Sequence, residues 1–487
     1  MSVSDPVRLR PSLAAVAAAG LIVAMVGTYW DDAWHTDRGR DEFAIAPHLM
    51  LYAGVAVSLG VVGAWAFTAV RKSGWAGPWQ DPALRLAIVG AAATIGSAPI
   101  DEWWHQSFGR DAVLWSPPHL VGVFGMLALA AGLLAGTAGD QSRVGKASGL
   151  VLAAAVIGVL QVPVLEYDSD VPQFAVFWYL PVSIVGACVS FWLVDRLAGG
   201  RWTRTWAAAV ATLLRLGVIA FLALADFSST TVPPLIVGAA MFDLTARRGL
   251  GFRLWSSALA MTGGWWVAIA VQPTTATPVS SVQVVVIAVV TATGAAIASQ
   301  TGRRRSPLAA PLVAIAICGA VAGVTSTPAW AHDPGQGDIA RSVRVEARRD
   351  GAVAQIRVET EEPCDAFRPG RTVARRAGAT RVGPLVAASE GSTCRMDGEV
   401  AGLDAGAWFV YAELDGPAGQ KLETWVHLSD GESIGEMRDL YEPVIPPDRN
   451  GQWAAGAVLL AMIAALFTAT VRLSGTVART RSVPVAP

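Results

Sequence analysis

The chain has 487 residues, of which 53% are hydrophobic and only 15% charged, and its mean hydropathy is +0.45. Soluble domains carry about a quarter of their residues as Asp, Glu, Lys and Arg, so this composition, with apolar runs of about twenty residues, excludes an ordinary soluble globular protein. A net charge of −1 supplies no bulk attraction to nucleic acid.

Length and lack of charge predict about twelve transmembrane helices, over 11–29, 47–70, 83–100, 117–138, 147–165, 174–195, 206–225, 232–245, 254–272, 279–299, 308–327 and 453–471. The first has no small-residue cleavage site before its tryptophan-rich end and reads as an anchor rather than a removed signal. Alternate connections are basic: Arg8 and Arg10; Arg71, Lys72 and Arg85; Arg143 and Lys146; Arg196, Arg201 and Arg204; Arg247, Arg248 and Arg253; Arg303, Arg304 and Arg305; Arg472, Arg479 and Arg481. The short connections between them carry only Arg38, Arg40 and Arg110. Cytoplasmic loops collect Lys and Arg, so the N-terminus and the C-terminal tail are expected in the cytoplasm of a multi-pass plasma-membrane protein.

Four regions follow: a membrane domain of about ten helices over 1–302, an eleventh helix over 303–331, an extracytoplasmic domain over 332–446, and a last helix with a basic tail over 447–487. The eleventh segment also has a signal peptide's layout, with Arg303–Arg305 before an apolar run and Ala329-Trp330-Ala331 before His332. In the third region, 342–348, 353–361, 408–414 and 422–428 alternate apolar and polar residues between Gly, Asp and Pro. That pattern predicts a small all-β sandwich. Cys364 and Cys394 fall in it and are expected to pair in an oxidising compartment. Cys188 and Cys318 lie in spans and read as small core residues.

The first two helical hairpins repeat each other. Trp30-Asp31-Asp32-Ala33-Trp34-His35, Gly39-Arg40-Asp41 and Pro47-His48-Leu49 recur as Ile100-Asp101-Glu102-Trp103-Trp104-His105, Gly109-Arg110-Asp111 and Pro118-His119-Leu120. Later hairpins keep fainter echoes, such as Pro233-Pro234-Leu235-Ile236-Val237-Gly238 after Asp226, and spans one to ten read as five hairpins. The protein has six histidines, and all fall at the predicted outer face. Asp31 and His35 are four apart, as are Asp101 and His105, which stacks each pair on one helix face. Pro47 and Pro118 suit a helix's first turn and set His48 and His119 beside them. Each hairpin then offers a carboxylate and two imidazoles at one depth, a set that suits copper, zinc or iron with one position open. Arg40–Asp41 and Arg110–Asp111 are expected to orient that set. The plainer reading is an aromatic belt of Trp30, Trp34, Trp103, Trp104 and Trp115 with solvated loop ends.

The pattern Asp31-x3-His35-x12-His48 resembles the copper-site motif of the membrane C subunit of the particulate methane and ammonia monooxygenases. The resemblance covers about eighteen residues, and it implies that Asp31, His35 and His48 bind copper. The second copy has thirteen residues between His105 and His119, and the duplication and the fused β-domain are further departures. If the chain were cut after Ala331, His332 would become N-terminal; its amine and imidazole, with Glu423 and His427, could then hold copper. In that respect the outer domain resembles periplasmic copper-carrier β-domains.

Three functions compete. One is a membrane metal-binding and handling protein for copper. Another is an enzyme, either a copper-dependent oxidoreductase or a metal-dependent hydrolase, since Asp with two His also activates a zinc-bound water. The third is a transporter, supported only by Arg215, Asp226 and the repeats. Arg215 falls near mid-span in the seventh helix, or snorkels to the inner interface if the span is shifted. Glu166 and Asp226 either join the polar layer or cap helices. The nine methionines are scattered, which argues against a bulk copper track. No phosphate loop, Gly-x-Ser-x-Gly or His-Glu-x-x-His is present. The expected partners are the lipid bilayer and other membrane or extracytoplasmic metalloproteins.

Overall fold

The structure is a computed structural model that describes residues 8–37, 44–108, 114–169, 176–228, 230–271, 284, 286, 339–361, 364, 367–376, 379–390, 393–416, 419–442 and 449–482. All of the expected tenth span but residues 284 and 286, the eleventh span, Cys318, His332, Arg40, Asp41, Arg110 and Asp111 lie outside the described residues.

Eight helices among the described residues are long and apolar enough to cross a membrane, the signature of a multi-pass membrane protein. The sequence pattern suggests about twelve. Two of the missing four are these tenth and eleventh spans. The expected span 232–245 is a helix of only ten residues, Leu235–Leu244, because Pro233 and Pro234 precede it and Thr245 ends it. The expected span 254–272 is a helix over Leu250–Val271 that is not among the eight.

The helical part runs α1 (Pro11–Asp37), α2 (Ala46–Ser73), α3 (Gly77–Gln80), α4 (Pro82–Phe108), α5 (Pro117–Gly136), α6 (Arg143–Val159), α7 (Leu165–Asp168), α8 (Tyr179–Leu197), α9 (Thr203–Leu224), α10 (Leu235–Leu244) and α11 (Leu250–Val271). A last helix, α12 (Arg449–Ser482), follows the β-domain. The first two hairpins close in the same way. Lipid offers no hydrophobic drive between helices, so small residues bring the backbones together. A Cβ on Gly54 would strike the Ala24 backbone, and one on Gly27 that of Leu51; in the second hairpin Gly90 and Gly132 lie as tightly against Leu129 and Ala87. At the helix ends remote from the triads, Arg204 bonds Asp243 (2.5 Å) and Asp195 (2.9 Å), and Arg253 reaches Asp195 through Nη1 and Nη2. That ring ties α8 to α11.

The β-domain corrects the sandwich expectation. Eight antiparallel strands form a closed barrel in the order β1-β2-β5-β4-β3-β6-β7-β8: β1 (Ile339–Asp350), β2 (Val353–Thr360), β3 (Arg368–Arg376), β4 (Ala379–Glu390), β5 (Thr393–Ala401), β6 (Trp408–Asp415), β7 (Lys421–Leu428) and β8 (Ser433–Tyr441). β1 pairs β8 along nearly its whole length, so the first and last strands close one sheet rather than leaving two. β7 meets β8 only at Glu423–Tyr441. Inward residues such as Val345, Ile356, Met396, Val410 and Val426 fill the core. Cys364 and Cys394 are disulfide-bonded across thirty residues, which stabilises the domain by about 3–4 kcal/mol in the chain-entropy model. Cys188 is free and buried, as expected of a core residue.

Candidate functional site

The repeated polar set becomes two matching triads. Asp31 and His35 lie in the last turns of α1, and Asp101 and His105 in those of α4. The next helix starts with proline in its first turn, which needs no amide donor there, and places His48 and His119 third in α2 and α5. Each hairpin therefore folds a first-turn histidine back onto the Asp-His pair.

In the first triad His48 Nε2 lies 3.1 Å and His35 Nε2 3.7 Å from Asp31 Oδ1. In the second, His105 Nε2 and His119 Nε2 lie 3.1 and 3.2 Å from Asp101 Oδ2. Within each group the ligand atoms are all within 4.8 Å of one another, close enough to hold a metal ion. Tetrahedral bonds of 2.0–2.2 Å put neighbouring donors about 3.4 Å apart, so the triads need only small adjustments to close on an ion.

Both triads face one cavity of about 470 Å³. At its triad end it is lined by Asp31, His35, His48, Asp101 and His119; deeper, by Val55, Leu59, Val123, Met126 and Val159. Thr94 and Ser97 also line it, but their hydroxyls are committed to the carbonyls of Gly90 and Thr94. The chamber is thus polar at the triads and apolar below them.

The two copies differ at the residue after the ligand aspartate. Asp32 lines the cavity and accepts a 2.7 Å bond from Ser169. Its counterpart Glu102 points to the surface and bonds Gln106. Beside Ser169, Asp168 pairs with Arg215 and accepts from Tyr179 at 2.6 Å. Arg215 also donates to the Thr231 carbonyl at 2.9 Å and lies over the Tyr29 ring at 4.3 Å. Arg215 is 6% exposed, so it does not snorkel; the snorkelling alternative is corrected by this pairing. Glu166 accepts from the Leu114 backbone at 2.7 Å and braces the approach to α5. Asp226 holds a left-handed backbone, φ 58°. Asp168, Tyr179 and Thr231 are partners that sequence spacing gives no means to find.

The expected aromatic belt is divided. Trp103 is half exposed, but Trp104 is 4% exposed and packs with Val121 and with Leu459 of the last helix. Trp30 and Trp34 pack on Phe221 and Phe227.

Glu423 and His427 do not come together. They share β7 with Trp425 between them, and at about 3.3 Å per strand residue they stand about 13 Å apart. Spacing of four joins side chains on a helix but separates them on a strand. Glu423 is buried and His427 half-buried against the barrel's outer wall: desolvation raises the Glu423 carboxyl to about 7, with Glu413 adding to it against Arg375, and lowers the His427 imidazole to about 4, helped by Arg376 and Arg438. Among the described residues the barrel adds no third metal-holding group.

No protein family matches the chain, and no curated protein or solved structure matches it either. The functional reading therefore rests on the site's own geometry.

Proposed function

We propose that this protein holds two transition-metal ions in its membrane domain, one in each Asp-His-His triad, at the extracytoplasmic end of the bundle. The observation that carries the reading is the duplicated convergence of three donor atoms on one point, at one end of a shared cavity. A single carboxylate beside one imidazole is an ordinary ion pair; the same three-donor geometry built twice is not. Two imidazoles and one carboxylate suit copper, with zinc and iron as alternatives. The orientation rests on Arg71, Lys72, Arg85, Arg143 and Lys146, which gather at the helix ends away from the triads.

The cavity favours a second reading over simple metal storage. Three protein ligands would leave a coordination position open, and the donors Asp31, His35, His48, Asp101 and His119 line a chamber. A resident metal acting on a bound molecule, as in a copper-dependent oxidoreductase, would use this chamber; a relay to the barrel has no receiving site among the described residues.

Metal analysis of the purified full-length protein tests the proposal. Two equivalents per chain are expected. His35→Ala with His105→Ala should remove nearly all of the metal while the protein still inserts and purifies as a monodisperse species. Unchanged metal content in that double variant would end the proposal.

A further inference from the structure

The cavity's shape narrows what it holds. From His48 to Leu59 its wall follows α2 for eleven residues, a depth of about 16 Å at 1.5 Å per residue. Charged groups and imidazoles sit only at the triad end, and the Thr94 and Ser97 hydroxyls lower down are spent on the carbonyls of Gly90 and Thr94. Ala56 on α2 and Ile95 and Pro99 on α4 all line the cavity and are exposed, so the chamber opens sideways between two membrane-crossing helices. Pro99 has no amide hydrogen, so the carbonyl of Ile95 loses its helical partner at that opening. The volume, about 470 Å³, is that of a small-ligand pocket and too small for a two-chain phospholipid.

We infer that the cavity takes a single-chain amphiphile with an oxygen-donor head, entering from the bilayer between α2 and α4. The chain lies along Val55, Leu59, Val123 and Met126, and the head meets the triad layer. The assignment of the head rests on the metal reading above, since a bound cation and its open position recruit an anionic or oxygen-donor group. The chain's place rests on the cavity alone. A cationic head would be repelled by the metals, and a fully polar molecule would leave the apolar depth unfilled.

A diazirine-bearing lauric acid, photolysed with the full-length protein in lipid nanodiscs and mapped by mass spectrometry, tests the inference. Label is expected on Val55, Leu59, Val123 or Met126. Ile95→Trp and, independently, Ala56→Phe should each cut that labelling at least tenfold by filling the opening, with metal content at the wild-type level. Both positions are exposed, so neither substitution burdens the core. Unlabelled laurate should compete, and a lauryl trimethylammonium ion should not. Label confined to lipid-facing residues such as Leu213 and Val237, or cavity label indifferent to both plugs, would overturn the inference; equal competition by the cationic amphiphile would overturn the head assignment. The metal assay separates the two readings. Metal without cavity label sinks the amphiphile alone, cavity label without metal sinks the metal centre and the head assignment, and absence of both sinks both.

Discussion

Asp31 and Asp101 are the anionic members of the triads, and each touches both of its imidazoles. Asparagine at either position keeps the size but removes the charge that a cation needs. Asp31→Asn and Asp101→Asn should therefore each remove about one metal equivalent, and the double variant both, as read by metal analysis after dialysis. Arg215 poses a different problem. Its guanidinium is buried with Asp168 in the bundle, and removing one partner strands the other charge, at a cost of about 3–5 kcal/mol. Arg215→Met should lower thermal stability sharply, and adding Asp168→Leu should recover much of the loss. A double variant no more stable than Arg215→Met would show that the pair is not the determinant. These residues also show what the sequence can disclose. The triads are legible because their geometry is local: four residues along a helix, then proline and histidine at the next helix start. Arg215 and Asp168 are 47 residues apart, and no periodicity links them.

Strands conceal their sites where helices reveal them. β1, β2, β6 and β7 show alternation and are readable. β3 is not, because its apolar Val373 and Ala374 are adjacent rather than alternating and arginines occupy its ends. β8 alternates mainly between half-buried and exposed polar residues. With half the strands unread, closure into a barrel has no local signature and a sandwich is the natural expectation. The outer wall of β7 makes its own prediction. The raised Glu423 carboxyl means that the folded state holds its proton between pH 4.5 and about 7 while the unfolded chain releases it, so stability falls as pH rises through that window. The lowered His427 imidazole does the reverse: between about 4 and 6.5 the unfolded chain binds the extra proton, and stability rises with pH. The slopes oppose between pH 4.5 and 6.5. Glu423→Gln removes one of them. In the full-length protein this variant should gain on the order of 3 kcal/mol at pH 8, gain little at pH 4, and show stability rising from pH 4 to 6.5 where the wild type is flat. Thermal unfolding across that range measures it; a constant difference between variant and wild type would contradict the assignment.

At the scale of the molecule, the C-terminal half touches residues beside each triad by a separate route. Arg438 of β8 donates to the Asp37 carbonyl at 2.9 Å, at the end of the helix that carries Asp31 and His35. Its own geometry is held by Glu436 at 2.7 Å and by the Trp425 ring at 5.3 Å. The terminal carbonyls of a helix lack internal partners, so a fixed guanidinium there steadies the last turn. Asp37 also takes the backbone amide and hydroxyl of Ser228 through its carboxylate, which adds α9's exit to the clamp. The second triad is braced by the last helix: Leu459 packs with Trp104 and Val121, and Gly456 lies opposite Trp104 and Pro117. Trp104 immediately precedes His105, and Pro117 stands two residues before His119. The two supports share no residue, so they can be broken one at a time. Arg438→Ala should speed metal loss to a chelator from one site only and raise amide exchange over Trp34–Asp37. Gly456→Leu, which places a branched side chain against Trp104, should speed loss from the other site and leave α1 unchanged. Biphasic release kinetics in each variant, with the slow phase at the wild-type rate, is the expected record. A uniform acceleration of both phases by either substitution would mean that the triads are not supported independently, and that the barrel and the last helix act on them as one body.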